Sequence, residues 1–376
     1  MIIFIECTTK TKDELDDLIR VGGYRDYSEA VAIAVSNQLL LHRSSKATRG
    51  AATIAVAETQ EPLRERATLS AAASPFGSEG SRTEADAVVI PPLFRPVARE
   101  PRFSNTAAMP NDAFAKGQRI TIDRWIFGQH NKLLPLKASV RALANMSLDR
   151  GSGVPLSQAA TEIALACESL GSYLRAVDED LGLAREESLA TAFPSAASDI
   201  NKSRLRFATQ FVGALNRHGQ LRGFPIDLKL VNYRNPKEPK LLLTEAGWTL
   251  ASLASPILDQ ATGATNTAEK LSAEERAFLI QHIRDNVPVE DFAFRAVLAA
   301  LENGARSPDD LDAALGEYMP ERTGEPFSPA FLSTQRAGVI SRMTDLQLVA
   351  RERDGVRVVY AITEQGKKYA RCASAA

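Results

Sequence analysis

The residues best suited to chemistry are few and widely spaced in this sequence. Asp227 precedes the short run Glu238-Pro239-Lys240, and carboxylates with a lysine at this spacing can hold Mg²⁺ for cleavage of a phosphodiester bond. The pair Glu238-Pro239 is typical of a turn, however, and a proline there interrupts the strand that would aim metal ligands. The spacing is therefore a weak signal for metal-dependent catalysis.

The other reactive side chains form no recognisable site. The three cysteines contain no Cys-x-x-Cys pair, which fits a reducing compartment and excludes a disulfide framework or a typical zinc site. The sequence also lacks a glycine-rich phosphate loop and a nucleophile elbow. We therefore expect no enzyme activity, no metal and no cofactor. The four histidines lie far apart along the chain: His42, His130, His218 and His282.

Positive charge is concentrated in two stretches of a chain whose net charge is −1. Residues 202–240 hold nine Lys/Arg and two Asp/Glu, and residues 333–371 hold eight and four. Local basic patches of this kind bind phosphates. The candidate DNA-contacting residues of the first stretch are Arg204, Arg206, Asn216, Arg217, Arg222, Arg234, Lys237 and Lys240.

Composition and length limit the class of protein that presents these residues. A chain of 376 residues predicts two or three domains, and 44% hydrophobic with 24% charged residues is ordinary for a soluble globular protein. No apolar run approaches the roughly 18–20 residues of a membrane span. The apolar start lacks a basic region and is not a signal peptide. We expect a soluble, cytoplasmic protein without a membrane partner.

The N-terminal part of the chain divides into a compact unit and a linker. Residues 1–43 predict a short strand, a helix that stops at Gly22-Gly23, and a second helix capped by Ser28. Residues 44–118 are rich in Ala, Ser, Thr, Pro, Glu and Arg and show neither strand nor helix periodicity. This composition predicts a flexible linker.

Helical periodicity returns at Ile120 and continues to the end of the chain. Only 226–243 and 349–363 resemble hairpins, and both lead into a hydrophobic-Thr-Glu-x-Gly sequence before another helix. The predicted fold is mainly α with short β hairpins. Its domains are residues 119–260 and residues 270–372.

The first 43 residues resemble the ribbon-helix-helix family of Arc and CopG type. The string Gly23-Tyr24-Arg25-Asp26-Tyr27-Ser28-Glu29-Ala30-Val31 carries the resemblance together with the preceding strand. Because a single such strand has an unpaired edge, it implies a homodimer with an intermolecular sheet. In this family the second helix begins at a phosphate, which Arg25 and Ser28 would hold. The strand either contacts bases or serves dimerisation alone.

Residues 290–371 resemble winged-helix regulators of the MarR and PadR kind. The alternating sequence Leu348–Gly366, centred on Asp354-Gly355, carries this resemblance as the wing. It implies that the helix from Pro329 to Asp345 contacts DNA; Gln347 replaces the glycine that usually ends that helix. A solvated charged face is the alternative. The implied contact residues are Ser333, Thr334, Gln335, Arg336, Ser341 and Arg342 on the helix, with Arg351, Arg353 and Arg357 on the wing.

Residues 120–258 repeat this pattern with longer parts. Leu215–Leu221 resembles the end of a recognition helix at a left-handed glycine, and the hairpin from Ile226 turns at Asn235–Pro239. A helical scaffold with one basic hairpin is the alternative to two tandem winged helices. The sequence as a whole predicts a double-stranded DNA-binding protein. It would be a dimeric transcriptional regulator, or else a recognition or assembly subunit of a plasmid, defence or transposition complex; a nuclease is a distant third.

Overall fold

A computed structural model describes residues 90–97, 106–110, 120–148, 150–195, 199–235, 237–260, 267–319, 328–354 and 357–372. This part of the chain is mainly helical with small antiparallel sheets, which confirms a mainly α fold with short β hairpins. All these residues belong to one compact unit that starts at Ser81. The predicted arm at residues 1–43, with Arg25 and Ser28, lies outside the described residues.

The first module, residues 133–252, alternates long helices with short strands. Its strands form a three-stranded antiparallel sheet in the order β1-β5-β4 and a separate hairpin of β2 and β3. Helix α3 continues as a π-helical turn, Ala208–Val212. The elements are α1 Leu133–Ser147, β1 Val154–Pro155, α2 Leu156–Asp180, α3 Ile200–Phe207, β2 Ala214–Leu215, β3 Leu221–Arg222, α4 Phe224–Asp227, β4 Val231–Arg234, β5 Lys240–Leu243 and α5 Glu245–Ser252.

The second module, residues 288–371, follows helix α6, Ala273–Asn286. Its two strands pair with each other, and the Tyr360 N–H in the second strand also donates to the Arg306 carbonyl at 2.9 Å. Arg306 thus pairs with the second strand of this hairpin, as β1 pairs with β5 in the first module. The elements are α7 Pro288–Glu302, α8 Pro308–Leu315, α9 Pro329–Asp345, β6 Val349–Asp354, β7 Arg357–Ile362 and α10 Glu364–Arg371.

Two pieces of the predicted linker, residues 90–97 and 106–110, pack against the first module. Phe94 is fully buried in the hydrophobic core. Ala107 donates its N–H to the Leu243 carbonyl at 2.8 Å, at the end of the three-stranded sheet. The prediction of a flexible linker was therefore wrong for these two pieces, because a buried aromatic ring and a backbone hydrogen bond hold them in place.

One hydrophobic core runs through both modules. It includes Phe211 and Leu250 of the first module and Phe294 and Val339 of the second. The two predicted domains therefore share their core and are not separated by a solvent-filled boundary. No helix in the described ranges is long and apolar enough to cross a bilayer.

Two buried cations of α1 bind carbonyls at the end of α5, and one of them also pairs with α6. Lys137 Nζ donates to the carbonyls of Leu250 and Leu253 at 2.6 and 2.7 Å and pairs with Glu275 at 2.7 Å. Arg141 donates to another carbonyl at the end of α5. Burial lowers the pKa of Lys137 to about 8, against the opposing effect of Glu275. These cations neutralise the negative end of a helix that would otherwise lack partners in the core.

The two hydrophobic-Thr-Glu-x-Gly sequences have the same structure, which confirms the predicted repeat. Thr244 and Thr363 each cap the following helix by accepting a hydrogen bond from the N–H of Gly247 or Gly366, at 3.1 and 3.0 Å. A Cβ on either glycine would overlap a backbone carbonyl of the chain that precedes the first strand of the hairpin. Glycine is therefore required at both positions because two segments of backbone approach each other closely.

The helix before each hairpin also ends in the same way. Lys229 and Gln347 adopt left-handed backbone with φ of 56° and 58°. In both cases the next N–H donates to the carbonyl five positions earlier at 2.8 Å, and the left-handed residue itself donates three positions back. This is a Schellman motif, which usually has glycine at the left-handed position. Gln347 thus ends α9 at a position where glycine is usual, without the conformational freedom of glycine.

Replacing Gln347 with glycine should stabilise the protein by about 1 kcal/mol, because a residue with a Cβ is strained in left-handed backbone. The side chain of Gln347 is exposed, so little else is lost. Ala337→Gly is the matched control, since Ala337 is exposed in the right-handed interior of α9. It should cost about 1 kcal/mol. Urea unfolding measures both changes, and a loss of stability in both variants would contradict the expected strain.

Candidate nucleic-acid interface

The hairpin of β4 and β5 ends in an exposed group of cations. Its strands are held by the buried Leu241, Leu242 and Leu243, and the register pairs Arg234 with Lys240 at the open end. Arg234 and Lys237 are exposed, and Lys240 is half-buried. None of the three cations forms an ion pair with another described residue. We call this end of the hairpin, residues 234–240, the first wing.

A second, shorter hairpin lies where the sequence predicted the end of a recognition helix. Residues 214–222 form β2, a turn and β3, so the helical prediction for Asn216 and Arg217 was wrong. The Asn216 side chain accepts hydrogen bonds from two backbone N–H groups of the turn, at 2.9 and 3.0 Å. Asn216 therefore shapes the turn, whereas the side chains of Arg217 and Arg222 are exposed.

Two glycines form the base of this hairpin. Gly213 and Gly223 have φ of 139° and 146°, and a Cβ on Gly223 would lie 2.9 Å from the Gly213 Cα. Larger residues would push the strands apart at this point. The hairpin thus projects from a narrow base between the π-helical turn and α4, and it presents Leu215 at its surface, 41% exposed.

Helix α3, which precedes this hairpin in the chain, carries both exposed and paired cations. Asp199 caps the helix by accepting from the N–H groups of Asn201 and Lys202, and these bonds lower the pKa of its carboxyl. Lys202 and Arg206 are exposed. Arg204, in contrast, forms an ion pair with Glu168 of α2 and is a structural link between the two helices. Of the cations predicted on this helix, Arg206 remains available to a ligand.

The predicted recognition face of the second module is covered by the chain itself. Gln335 and Arg342 are each 1% exposed, so neither has the surface exposure that the implied DNA contacts require. The Gln335 amide donates to the Ile122 carbonyl at 3.1 Å and accepts from the Gly128 N–H. Residues 122–130 thus lie on the face of α9 for which the sequence predicted contacts with DNA.

Two glycines allow this close approach. A Cβ on Gly338 of α9 would overlap the backbone of Gly128, and a Cβ on Gly128 would overlap the backbone of Thr334. Glycine at both positions lets the turn before α1 touch the helix. The segment Trp125–Asn131 therefore covers α9, with Trp125 and Ile126 buried.

The remaining predicted residues of α9 also have structural partners or lack charge. Arg336 is 7% exposed and forms a bidentate ion pair with Asp312 of α8 at 2.7 and 3.2 Å. Ser333 accepts a hydrogen bond from Arg336, and Thr334 donates to a carbonyl of its own helix. Ser341 is half-buried. The accessible side of α9 therefore presents no cation to a phosphate.

A buried polar cluster joins the two modules at this point. The Arg342 guanidinium donates to both carboxylate oxygens of Glu290 at 2.5 and 3.0 Å, and to the His130 carbonyl at 2.7 Å. It also lies 5.9 Å from the centre of the Phe224 ring. His130 in turn bonds Asp227 at 3.0 Å. Burial raises the pKa of Glu290, and Arg342 opposes that rise.

This cluster contains Asp227, one of the carboxylates in the weak signal for metal-dependent catalysis. Asp227 lies at the end of α4, not on a strand, and its carboxylate is held by His130. Glu238 is exposed in the turn of the first wing. In the ranges that the structure describes, no three His, Cys, Asp or Glu side chains are grouped as metal ligands.

The hairpin of β6 and β7 presents its arginines at the surface. Arg351, Arg353 and Arg357 are all exposed, as the resemblance implied. Arg351 and Arg353 both contact Glu186, which follows α2 in the first module. The part of this hairpin at Arg351–Arg357 is called the second wing. Its contact with Glu186 had no signal in the sequence, because the residues are far apart in the chain.

The chain matches no protein-family model, and neither curated proteins nor solved structures give a match. The geometry of its own residues is therefore the basis for assigning a function.

Proposed function

We propose that this protein binds double-stranded DNA and that the first module makes the main contact. The observation that supports this most directly is the exposed first wing, which follows a chain segment rich in exposed cations. Of the nine Lys/Arg in residues 202–240, six are exposed, whereas Asp227 is held by His130. The six are Lys202, Arg206, Arg217, Arg222, Arg234 and Lys237.

We assign both modules to the winged-helix class. The strand order β1-β5-β4 places the strand that follows α1 beside the second strand of the hairpin, which is the arrangement expected of a winged helix. The second module repeats it, with Arg306 in place of β1 and the same Thr-Glu-x-Gly cap after its hairpin. In the first module, α3, the short hairpin and α4 together stand where the recognition helix would be.

The accessible side chains indicate how the protein would contact DNA. Arginine and lysine at a wing contact phosphates, which gives affinity without base preference. Base contacts would come from the short hairpin, where Arg217 and Gln220 are exposed at the turn. Helix α9, with Gln335 and Arg342 buried, supports the second module and does not enter a groove.

A dimeric transcriptional regulator is the form of DNA-binding protein that we favour. The ribbon-helix-helix arm at residues 1–43 would pair two copies and give two reading modules on one duplex. That arm lies outside the described residues, so its role in dimerisation stays a prediction. Arg25 and Ser28 as phosphate contacts stay predictions for the same reason.

The full chain should bind a random-sequence duplex with an affinity that falls steeply as salt increases. With about four to six phosphate contacts, the slope of log K against log salt should be roughly −4 to −5. Fluorescence anisotropy across a series of salt concentrations measures it, and a single strand of equal length is the control. No binding at low salt, or binding that does not depend on salt, would contradict the proposal.

A further inference from the structure

Two arginines of the second wing converge on one carboxylate oxygen. Arg351 Nη1 lies 3.2 Å and Arg353 Nη2 lies 2.6 Å from the same Oε1 atom of Glu186. The two arginines are two positions apart on β6, so their side chains leave the same face of the strand. Glu186 belongs to the first module, in the turn after α2. The contact therefore joins the surfaces of the two modules.

The carboxylate of Glu186 is ionised at neutral pH. Its own backbone N–H and the guanidinium groups of Arg353 and Arg351 lower its pKa to about 2. All three side chains are also open to water, with 33% of Glu186, 31% of Arg351 and 65% of Arg353 exposed. Exposed ion pairs contribute little to folding stability because water and salt screen them. This contact can therefore open without disturbing the core.

Two guanidinium groups directed at one oxygen form a site for an oxyanion. Guanidinium groups bind phosphate and carboxylate oxygens with the same geometry. We infer that Arg351 and Arg353 form a second site for a backbone phosphate of duplex DNA, and that Glu186 occupies this site until DNA displaces it. This inference rests on the proposed function. It adds that the Glu186 carboxylate competes with a DNA phosphate for the two arginines and so limits the affinity for DNA.

The adjacent residue provides a matched control. Glu187 is exposed and forms no ion pair with another described residue. Glu186→Gln and Glu187→Gln change the net charge by the same amount, so long-range electrostatic effects on DNA are closely similar. Only Glu186→Gln frees the two arginines. Glu186→Ala and Glu187→Ala form a second pair, in case the glutamine amide still accepts hydrogen bonds from the arginines.

The experiment measures binding of the full-length variants to a random-sequence duplex over a range of salt. At about 0.1 M salt, Glu186→Gln should bind roughly tenfold more tightly than Glu187→Gln, with a salt slope steeper by about one to two. Adding Arg351→Ala and Arg353→Ala to Glu186→Gln should remove this gain. Circular dichroism checks that all variants keep the helical fold.

The outcomes separate this inference from the proposed function. Equal affinities of the Glu186 and Glu187 variants, with clear DNA binding by both, overturn the inference and leave the proposed function in place. A gain that persists without the two arginines also overturns it. No binding by any variant overturns the proposed function and the inference together. Binding by the Glu186 variants alone supports both.

Discussion

Glu290→Ala should destabilise the protein by about 3–5 kcal/mol, the largest effect expected of any single substitution considered. Glu290 is fully buried and Arg342 is 1% exposed. The variant leaves the Arg342 guanidinium in the core with the His130 carbonyl and the Phe224 ring as its remaining partners among the described residues. The free-energy cost of burying an uncompensated charge exceeds what these two contacts recover. Urea or thermal unfolding measures the loss.

Two further variants test the cause of this loss. Glu302→Ala removes an exposed carboxylate at the end of the same helix and should change stability by less than about 0.5 kcal/mol. The double variant Glu290→Leu with Arg342→Met replaces the pair by apolar side chains and should recover much of the stability. Equal losses for Glu290→Ala and Glu302→Ala would contradict the role of this buried pair.

The same double variant distinguishes two roles for Arg342. If Arg342 contacted a base of DNA, as the resemblance implied for this helix, its loss would relax DNA specificity by about 1–3 kcal/mol. Because the structure buries Arg342 against Glu290, we expect the folded double variant to bind DNA as tightly and as selectively as the natural protein. This result would locate base recognition outside α9.

Features with a local physical cause were predictable from the sequence. Helix α2, Leu156–Asp180, lies in the part of the chain where helical periodicity predicted helices, because that periodicity depends on neighbouring residues. The recurrence of Thr-Glu-x-Gly predicted a repeated unit, since a threonine cap and a glycine at a close approach require those residue types. Proline and asparagine at residues 235–239 predicted a turn, and a turn at the end of a hairpin exposes the cations that it carries.

Features that depend on distant partners were not predictable in this way. Gln335, Arg336 and Arg342 have the polarity of a DNA-contacting face, and periodicity alone assigns polar residues to the surface. Their burial depends on partners elsewhere in the chain, such as Glu290. The only signal was a pair of glycines, Gly128 and Gly338, whose mutual contact becomes evident when the chain is folded.

The helix predicted at Leu215–Leu221, where the structure has a short hairpin, was wrong for a different reason. The sequence Leu215–Leu221 has apolar ends and a polar middle, which fits either a helix or a hairpin over so short a stretch. Gly213, Gly219 and Gly223 favoured the hairpin, because glycine is unfavourable within a helix and common at turns. Giving more weight to this spacing of glycines would have placed Asn216 and Arg217 at a turn.

Arg234→Ala combined with Lys237→Ala should lower the affinity for duplex DNA by nearly two orders of magnitude at about 0.1 M salt. Each lost phosphate contact reduces the salt slope by about 0.9, so the slope should fall by nearly two. The two side chains are exposed at the first wing and form no ion pair with another described residue. Their removal should therefore leave the fold intact and change DNA binding on all sequences alike.

A double variant on another surface distinguishes the effect of lost first-wing contacts from the effect of lost net charge on DNA affinity. Lys368→Ala combined with Arg371→Ala removes the same charge from the exposed side of α10. We expect this control to change affinity by only a few fold, because these cations contribute to the long-range field and do not contact phosphate. If both double variants lose affinity equally, net charge alone accounts for binding. If only the first-wing variant loses affinity, residues 234–240 form a surface that contacts the DNA backbone.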